Sequence, residues 1–122
     1  MKKVLLVLII FHSIKISAQE KNCSDFKTGK FKYSDVSWSE IISVRNDSIQ
    51  SDYYSESDME IVSKITWLSD CKYKMEYIKV SEKWFEHKIG EVEFIEIVQV
   101  NGNKILCRNE SYSIEMIKIT EQ

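Results

Sequence analysis

The chain has 122 residues, of which 43% are hydrophobic and 30% charged, and its 17 basic and 19 acidic residues give a formal net charge of −2. A chain of this length forms one hydrophobic core, and its acidic balance excludes the broad basic surface with which proteins bind nucleic acid. Its aromatic and β-branched residues can bury a core, which argues against disorder.

The first eighteen residues have the three parts of a secretory signal. Lys2 and Lys3 precede an apolar run over residues 4–11, and Ala18 supplies a small residue before a cleavage site. The run is shorter than the ~20 residues of a membrane-spanning helix. We therefore predict a signal peptide over 1–18 and one exported domain over 19–122, secreted or periplasmic, with no membrane span after cleavage. Cleavage removes three of the 17 basic residues and none of the 19 acidic ones, which leaves a net charge of −5.

Apolar and polar residues alternate along six segments of the exported domain. This is the pattern of strands with one face toward a core and the other toward water. The apolar positions are, in chain order, Phe31 and Tyr33; Ile42 and Val44; Ile61, Ile65 and Trp67; Cys71, Tyr73, Met75 and Tyr77; Val92, Phe94, Val98 and Val100; Ile114 and Met116. We predict that these positions face the core, and that Ser43, Arg45 and Glu93 face water.

Turn signals separate these segments at short intervals. Residues 46–48 and 69–70 are polar breaks, and Asn101-Gly102 suits a type I′ hairpin that pairs 92–100 with 104–108. Segment 80–90 lacks the alternation and is interpreted as a loop or one helical turn. About eight strands without a long helix predict an all-β fold, a small antiparallel up-and-down barrel, with a two-sheet sandwich as the alternative.

The three cysteines predict one disulfide and one free thiol in an exported chain. Cys107 lies in the apolar run 105–107, where a buried free thiol is common. Cys23 and Cys71 each come just before a predicted strand, so we favour a Cys23–Cys71 bridge, which would stabilise the fold by roughly 3–4 kcal/mol. A Cys71–Cys107 bridge and three reduced cysteines are the alternatives.

No set of residues has the spacing of a catalytic site. His87 lies among charged residues without a neighbouring nucleophile and is interpreted as a solvated surface residue. The acidic residues Asp52, Glu56, Asp58 and Glu60 lack the spacing and glycine of a calcium loop and are interpreted as a solvated hairpin. The sequence therefore predicts no enzyme, no metal site and no cofactor.

The aromatic residues of the predicted strands are the candidate ligand contacts. A small eight-stranded barrel is either filled by its own side chains or holds one small ligand. The residues predicted to line the interior are Tyr33, Trp67, Tyr73, Met75, Tyr77 and Phe94. Trp84 and Phe85 fall outside the alternation and form either an exposed lip or a packed plug.

Three segments carry a family resemblance: 23–31 (CSDFKTGKF), 45–50 (RNDSIQ) and 67–73 (WLSDCKY). Together they resemble a group of small secreted proteins of flavobacteria and other Bacteroidetes. Some of that group carry the automatic label "DNA topoisomerase IV", but this chain has no ATPase motif and no active-site tyrosine context. Gly29-Lys30-Phe31 also resembles the Gly-x-Trp opening of lipocalin-type barrels, with Phe in place of Trp, which implies a lipocalin-like fold.

Two functions follow as expectations. The first is an exported, non-catalytic binding protein for a small apolar or amphipathic ligand. The alternative is a protein-interaction module or inhibitor that binds a protein partner through its outer surface or through segment 80–90. A cavity of several hundred Å3 would favour the first function, and a filled core with an exposed Trp84-Phe85 pair would favour the second.

Overall fold

The computed structural model describes residues 22–120, so the predicted signal peptide over 1–18 lies outside the described residues. Within that range, strands alternate with short connections, and the helices are 3-10 segments of three to six residues. The 3-10 helices are η1 (Cys23–Phe26), η2 (Val36–Trp38) and η3 (Lys83–Lys88). The strands are β1 (Gly29–Tyr33), β2 (Ile41–Arg45), β3 (Ile49–Tyr54), β4 (Met59–Ser69), β5 (Lys72–Val80), β6 (Val92–Asn101), β7 (Lys104–Arg108) and β8 (Ser113–Lys118).

The eight strands form a closed barrel in which every strand is antiparallel to its neighbours and the spatial order is the chain order. The barrel closes where β8 pairs with β1, with Phe31 opposite Lys118 and Tyr33 opposite Met116. Closure pairs both edges that an open sheet would leave exposed. The predicted all-β up-and-down barrel is therefore confirmed, and the two-sheet sandwich is excluded.

Local signals from the sequence account for several connections. Asn101 pairs with Lys104, so the predicted hairpin forms, with Gly102 and Asn103 as the central residues of its turn. Gly102 has a φ of 64° whereas Asn103 does not have a positive φ, so the predicted type I′ turn is wrong and the pattern is that of a type II′ turn, with glycine first. Residues Lys83–Lys88 form the predicted helical turn, and Gly90 follows it at a φ of 96°. These positive φ values favour glycine because a side chain would collide with the backbone there.

The barrel has two different ends. At the mouth end lie the connections 34–40, 55–58, 81–91 and 109–112, and at the closed end lie the tight turns 46–48, 70–71 and 102–103 together with η1. At the closed end Cys23 forms the predicted disulfide with Cys71, and Phe26 of η1 is buried against the core. The N-terminal turn therefore plugs one end of the barrel.

Lys118 of β8 ties the plug to the barrel wall. Its Nζ donates a hydrogen bond of 2.5 Å to the Asp25 carbonyl and lies 5.9 Å from the centre of the Phe26 ring. The Lys118 side chain reaches η1 by crossing Gly29, where an added Cβ would lie 2.7 Å from its Cε atom. Gly29 also has a φ of 135°, and this backbone conformation is what favours glycine, since a Cβ would only displace the flexible end of the Lys118 side chain from its contact with η1.

The interior of β2 differs from the prediction. Ser43 and Arg45 are fully buried, at 0% and 2% exposure, whereas Val44 is 42% exposed on the outer face. The predicted orientation of this strand, with Ile42 and Val44 inside, is therefore wrong. The buried polar groups are tolerated because each finds partners inside the barrel, as described below.

The orientation of the first half of β6 also differs from the prediction. Ile97 is completely buried, and the alternation from it turns Ile95 and Glu93 inward. Phe94 is 56% exposed on the outer face, so its predicted interior position is wrong. The sequence is ambiguous here because both faces of the strand carry apolar residues, and a register shift between Ile97 and Gln99 changes the alternation.

Candidate functional site

A cavity of about 120 Å3 opens at the mouth end of the barrel. The closed half of the barrel, below the cavity, is filled by a cluster that includes Phe31, Ile97, Ile105 and Met116. The cavity-lining aromatic residues are Tyr33, Trp38, Tyr54, Tyr73, Tyr77 and Tyr112. The cavity-lining polar residues are Gln50, Asp52, Glu93, Arg108 and Asn109. The remainder of the lining is Ile41, Met75, Ile95, Cys107, Ile114 and Met116.

The rim of the cavity is aromatic and joins the ends of different strands. Trp38 of η2 lies between Tyr33 and Tyr112, with ring centres 5.9 and 6.0 Å away at tilted angles. Such tilted pairs are favourable arrangements for aromatic rings. Asp35 accepts hydrogen bonds from the amide and hydroxyl of Ser37, which fixes the turn that carries Trp38.

The floor of the cavity holds a chain of hydrogen bonds centred on Asp52 of β3. Ser43 donates to Asp52 Oδ1 at 2.5 Å, and Gln50 Nε2 donates to the same oxygen at 2.9 Å. Because the Ser43 proton is used in this way, the Tyr33 hydroxyl donates to Ser43 Oγ at 2.6 Å. The opposing pairs Ser43–Asp52 and Arg45–Gln50 on β2 and β3 bring these side chains together.

Arg45 lies beneath this floor, toward the closed end. Its Nε donates to Gln50 Oε1 at 2.8 Å, one terminal nitrogen to the Phe26 carbonyl at 3.0 Å, and the other to the Tyr73 hydroxyl at 3.1 Å. Its guanidinium carbon also lies 4.7–5.9 Å from the ring centres of Tyr73, Phe31 and Trp67. A buried arginine is compensated by this combination of hydrogen bonds and aromatic faces.

Burial raises the pKa of Asp52 above its usual range. The hydrogen bonds from Ser43 and Gln50 and the charge of Arg45 oppose this change, while the negative charge of Glu93 adds to it. Burial likewise raises the pKa of Tyr54 to about 12, with Asp52 as the next cause. The cavity is therefore a poorly solvated site whose charged residues interact with one another.

Glu93 of β6 occupies one side of the cavity. Its Oε1 accepts hydrogen bonds from the Asn109 amide and, at 3.1 Å, from the Tyr112 hydroxyl. Burial raises the pKa of Tyr112 to about 12, and the neighbouring Glu93 charge contributes to that rise. Asn109 is held in turn by its own loop, because its side-chain oxygen accepts from the amides of residues 111 and 112.

Four of the six predicted ligand residues line the cavity: Tyr33, Tyr73, Met75 and Tyr77. Trp67 lies inside the barrel but below the cavity, with its ring centre 4.7 Å from that of Tyr73. Phe94 lies on the outer face. Ligand binding by the four lining residues stays a prediction, since their position shows only that a ligand in the cavity would touch them.

Sequence reasoning missed the polar half of the cavity. Asp52 was assigned to a solvated hairpin, yet it is nine-tenths buried. One pattern in the sequence could have indicated this. Ser43 and Arg45 alternate along β2 as Gln50 and Asp52 do along β3, and pairing of the two strands places all four polar side chains on one face. That face is either a water-facing surface or the wall of a cavity, and strand pattern alone favours water.

Two buried polar atoms in the described part of the chain have no hydrogen-bond partner: Ser63 Oγ and Trp67 Nε1. Residues 22–120 contain no cluster of three or more His, Cys, Asp or Glu side chains that could hold a metal ion. His87 is at the surface and its Nδ1 contacts the Trp84 carbonyl at 3.1 Å.

The residues that line the cavity offer hydrogen bonds, aromatic faces and negative charge to a bound molecule.

The fold and the cavity together define a small all-β up-and-down barrel. Its closed end is plugged by η1, and its mouth end contains the cavity. No protein-family model, curated protein or solved structure matches the chain. The Cys23–Cys71 disulfide is consistent with an oxidising compartment, such as the periplasm or the cell exterior. No helix within residues 22–120 is long and apolar enough to cross a membrane.

Proposed function

We propose that this chain is an exported, non-catalytic binding protein that holds one small amphipathic ligand in the mouth cavity. The observation that carries the proposal is a cavity with an aromatic rim above a buried hydrogen-bonding floor. Ligand sites typically combine apolar and aromatic walls with a few convergent polar groups. A purely apolar ligand is disfavoured, because it would displace solvent from the Asp52 and Glu93 carboxylates, whose hydrogen bonds from the described residues reach only one oxygen of each.

The volume of the cavity limits the size of the ligand. The cavity volume of about 120 Å3 is below the several hundred Å3 that would favour a ligand carrier on size alone. This is less than the ~300–1,000 Å3 of a site for a drug-sized molecule. The ligand is therefore a small molecule, or a larger one whose remainder projects through the mouth.

Export is part of the proposal. It is supported by the signal-like segment 1–18, by the disulfide and by the resemblance to small secreted flavobacterial proteins. The similarity of the opening Gly29-Lys30-Phe31 to that of lipocalin-type barrels points in the same direction, toward a secreted carrier with a central cavity. Periplasmic and extracellular locations fit these features equally well.

Native mass spectrometry of protein purified from the periplasm of an expressing cell, without reducing agent, is the first test. A bound mass that is lost on denaturation supports the carrier function and gives the ligand class. Tryptophan fluorescence then locates the site, because Trp38 lines the cavity whereas Trp84 is 66% exposed on η3. The ligand-dependent change in emission should be lost in Trp38→Phe and kept in the control Trp84→Phe. A protein that binds nothing in either assay contradicts the proposal.

A second candidate function is binding of a protein partner through the mouth-end loops. It is favoured by the exposure of Trp84 and Ile89, which are large apolar residues on the 81–91 connection. Exposed apolar residues mark an interaction site where they form one contiguous patch. Site-specific photo-crosslinking from position 84, with the exposed position 47 at the closed end as the control, would give a specific adduct only if this function holds.

A further inference from the structure

We infer that the ligand of the mouth cavity is a compact organic cation: a protonated amine on a short apolar or aromatic body. This inference rests on the proposed binding function and adds the chemical class of the ligand. Asp52 and Glu93 would receive the ammonium group, and the aromatic rim would contact the body. Its basis is the way in which the structure distributes charge around the cavity.

Asp52 presents an unused acceptor to the cavity. Among the described residues, both hydrogen bonds that reach its carboxylate end on Oδ1, from Ser43 and Gln50. Asp52 is nine-tenths buried and lines the cavity, so Oδ2 has no partner other than what enters there. An ammonium N–H is a suitable donor because charge-assisted hydrogen bonds are the stronger kind.

Glu93 adds a second negative charge to the same space. The hydrogen bonds from Asn109 and Tyr112 both reach its Oε1, and they hold the carboxylate in place at the cavity wall. Both donors are neutral, so they orient Glu93 without cancelling its charge. Asp52 and Glu93 interact, since the charge of Glu93 is one of the causes that raise the pKa of Asp52 after burial itself.

The nearby positive charges each have a partner among the described residues. Arg45 donates its hydrogen bonds to Gln50, the Phe26 carbonyl and the Tyr73 hydroxyl, below the floor. Arg108 borders the cavity, and its guanidinium pairs with Glu96 at 3.2 Å on a side chain that is more than half exposed. An anionic ligand would therefore meet two carboxylates, and Arg108 is the one cation of the cavity lining within residues 22–120.

The rim suits a cation for a separate reason. The faces of aromatic rings attract ammonium groups, and the attraction is stronger where water is excluded. Tyr54, Tyr77 and Trp38 border the cavity around the two carboxylates. After burial, the charges of Asp52 and Glu93 are further causes of the raised pKa of Tyr77, as expected where the potential is negative.

Three probes with one phenyl body and different head groups test the inference: phenethylamine, 2-phenylethanol and phenylacetate. Isothermal titration calorimetry at neutral pH is the measurement. We expect the amine to bind at least about tenfold more tightly than the alcohol, since charge-assisted hydrogen bonds are roughly twice as strong as neutral ones. Phenylacetate should bind more weakly than the alcohol.

Isosteric variants then assign the effect to the carboxylates. Asp52→Asn and Glu93→Gln should each weaken amine binding at least about tenfold while leaving alcohol binding within about twofold. Asp47→Asn, which removes the same charge from an exposed turn at the closed end, should leave all three affinities unchanged. Thermal unfolding of each variant shows whether it is folded under the binding conditions.

The outcomes separate the two proposals. Alcohol and amine binding with equal affinity, or preferential binding of phenylacetate, would overturn the cationic ligand and leave the binding function intact. If none of the three binds and native mass spectrometry shows a bare protein, the binding function itself fails. An amine preference that persists in both carboxylate variants would also overturn the inference, because the cation would then be recognised elsewhere.

Discussion

Gln50 connects the two opposite charges buried in the barrel, Arg45 and Asp52. Its Oε1 accepts from Arg45 Nε at 2.8 Å, and its Nε2 donates to Asp52 Oδ1 at 2.9 Å. The amide therefore lets the guanidinium face the closed end while the carboxylate faces the cavity. A direct ion pair with Arg45 would occupy the carboxylate of Asp52. In this arrangement the hydrogen bonds from the described residues reach only Oδ1, so Oδ2 stays available to a ligand.

The first prediction concerns the effect of Asp52 on stability. Because burial raises its pKa in the folded state, the folded protein holds this proton more tightly than the unfolded chain, whose aspartate has a pKa near 3.8. Stability should then fall as the pH rises from 3.8 through the raised value, and stay lower above it. Asp52→Asn cannot ionise, so we expect it to be more stable than the parent protein at neutral pH and equal to it below pH 3.8.

Denaturant unfolding of both proteins across this pH range is the measurement. Asp47→Asn on the exposed turn 46–48 is the control and should change the free energy of unfolding by no more than about 0.5 kcal/mol. A parent protein more stable than Asp52→Asn at neutral pH would contradict the prediction. The hydrogen bonds from Ser43 and Gln50 to the carboxylate would then outweigh its desolvation.

The second prediction is that Arg45 is essential to the fold. Arg45→Met removes the positive charge that compensates Asp52 and leaves the Phe26 carbonyl and the Tyr73 hydroxyl without their donor. Each buried polar group left without its partner costs about 1–3 kcal/mol, so we expect the free energy of unfolding to fall by about 2–6 kcal/mol. Lys88→Met is the control, because Lys88 forms an exposed pair with Glu91, and such pairs are worth about 0–1 kcal/mol. Equal free energies of unfolding for the two variants would show that the buried hydrogen bonds of Arg45 stabilise the fold no more than an exposed ion pair does.

The fold could be predicted from the sequence because its signals are local. Alternation marks a strand, and Asn101-Gly102 marks a hairpin, whatever lies elsewhere in the chain. Short connections between antiparallel strands then favour an up-and-down order. The Cys23–Cys71 bridge could be favoured for the same reason, since Cys107 lies within an apolar segment, where it is indeed buried and free.

The polar half of the cavity could not be predicted in this way. Hydrophobic pattern assigns Ser43 and Arg45 to the water face, and only the closure of the barrel shows that this face is internal. Two of the three hydrogen-bond partners of Arg45 come from η1 and β5, at separations of 19 and 28 residues along the chain. Local alternation does not report contacts over such distances, and the polar face that Arg45 shares with Gln50 is equally typical of a surface facing water. The orientation of Phe94 fails for a different reason, because β6 is apolar on both faces.

The third prediction concerns Gly29. A Cβ at this position would lie 2.7 Å from Lys118 Cε, and the φ of 135° is strained for any other residue. We expect Gly29→Ala to lower the free energy of unfolding by about 1–3 kcal/mol or more, given the usual cost of such strain. Gly102→Ala is the control, because it has a positive φ but an added Cβ would have no neighbour within 4 Å. A Gly29→Ala variant no less stable than Gly102→Ala would show that the crossing by Lys118 is dispensable.

The fourth prediction is that the disulfide holds the plug on the barrel. It closes a separation of 48 residues, which corresponds to about 4 kcal/mol in the chain-entropy description. Cys23→Ser combined with Cys71→Ser should lower the free energy of unfolding by about 2–5 kcal/mol. Cys107→Ala keeps the bridge and is the control for loss of a buried sulfur. If the double variant is no less stable than the control, η1 is held without the disulfide, by the packing of Phe26 and the hydrogen bonds from Lys118 and Arg45.

The fifth prediction concerns the reactivity of Cys107. Burial raises the pKa of this thiol from 9.0 to about 11, so about a hundredfold less of it is thiolate at neutral pH than for an exposed cysteine. Since the thiolate is the reacting form, an aromatic disulfide reagent should label the folded, unreduced protein very slowly. The same protein in denaturant should react quickly at one thiol per chain, and at three after reduction.

Cys107 also lines the cavity, so a bound ligand should slow the labelling of the folded protein further. Equal rates in the folded and unfolded protein would contradict the burial of this thiol, and with it the packing of the cavity floor.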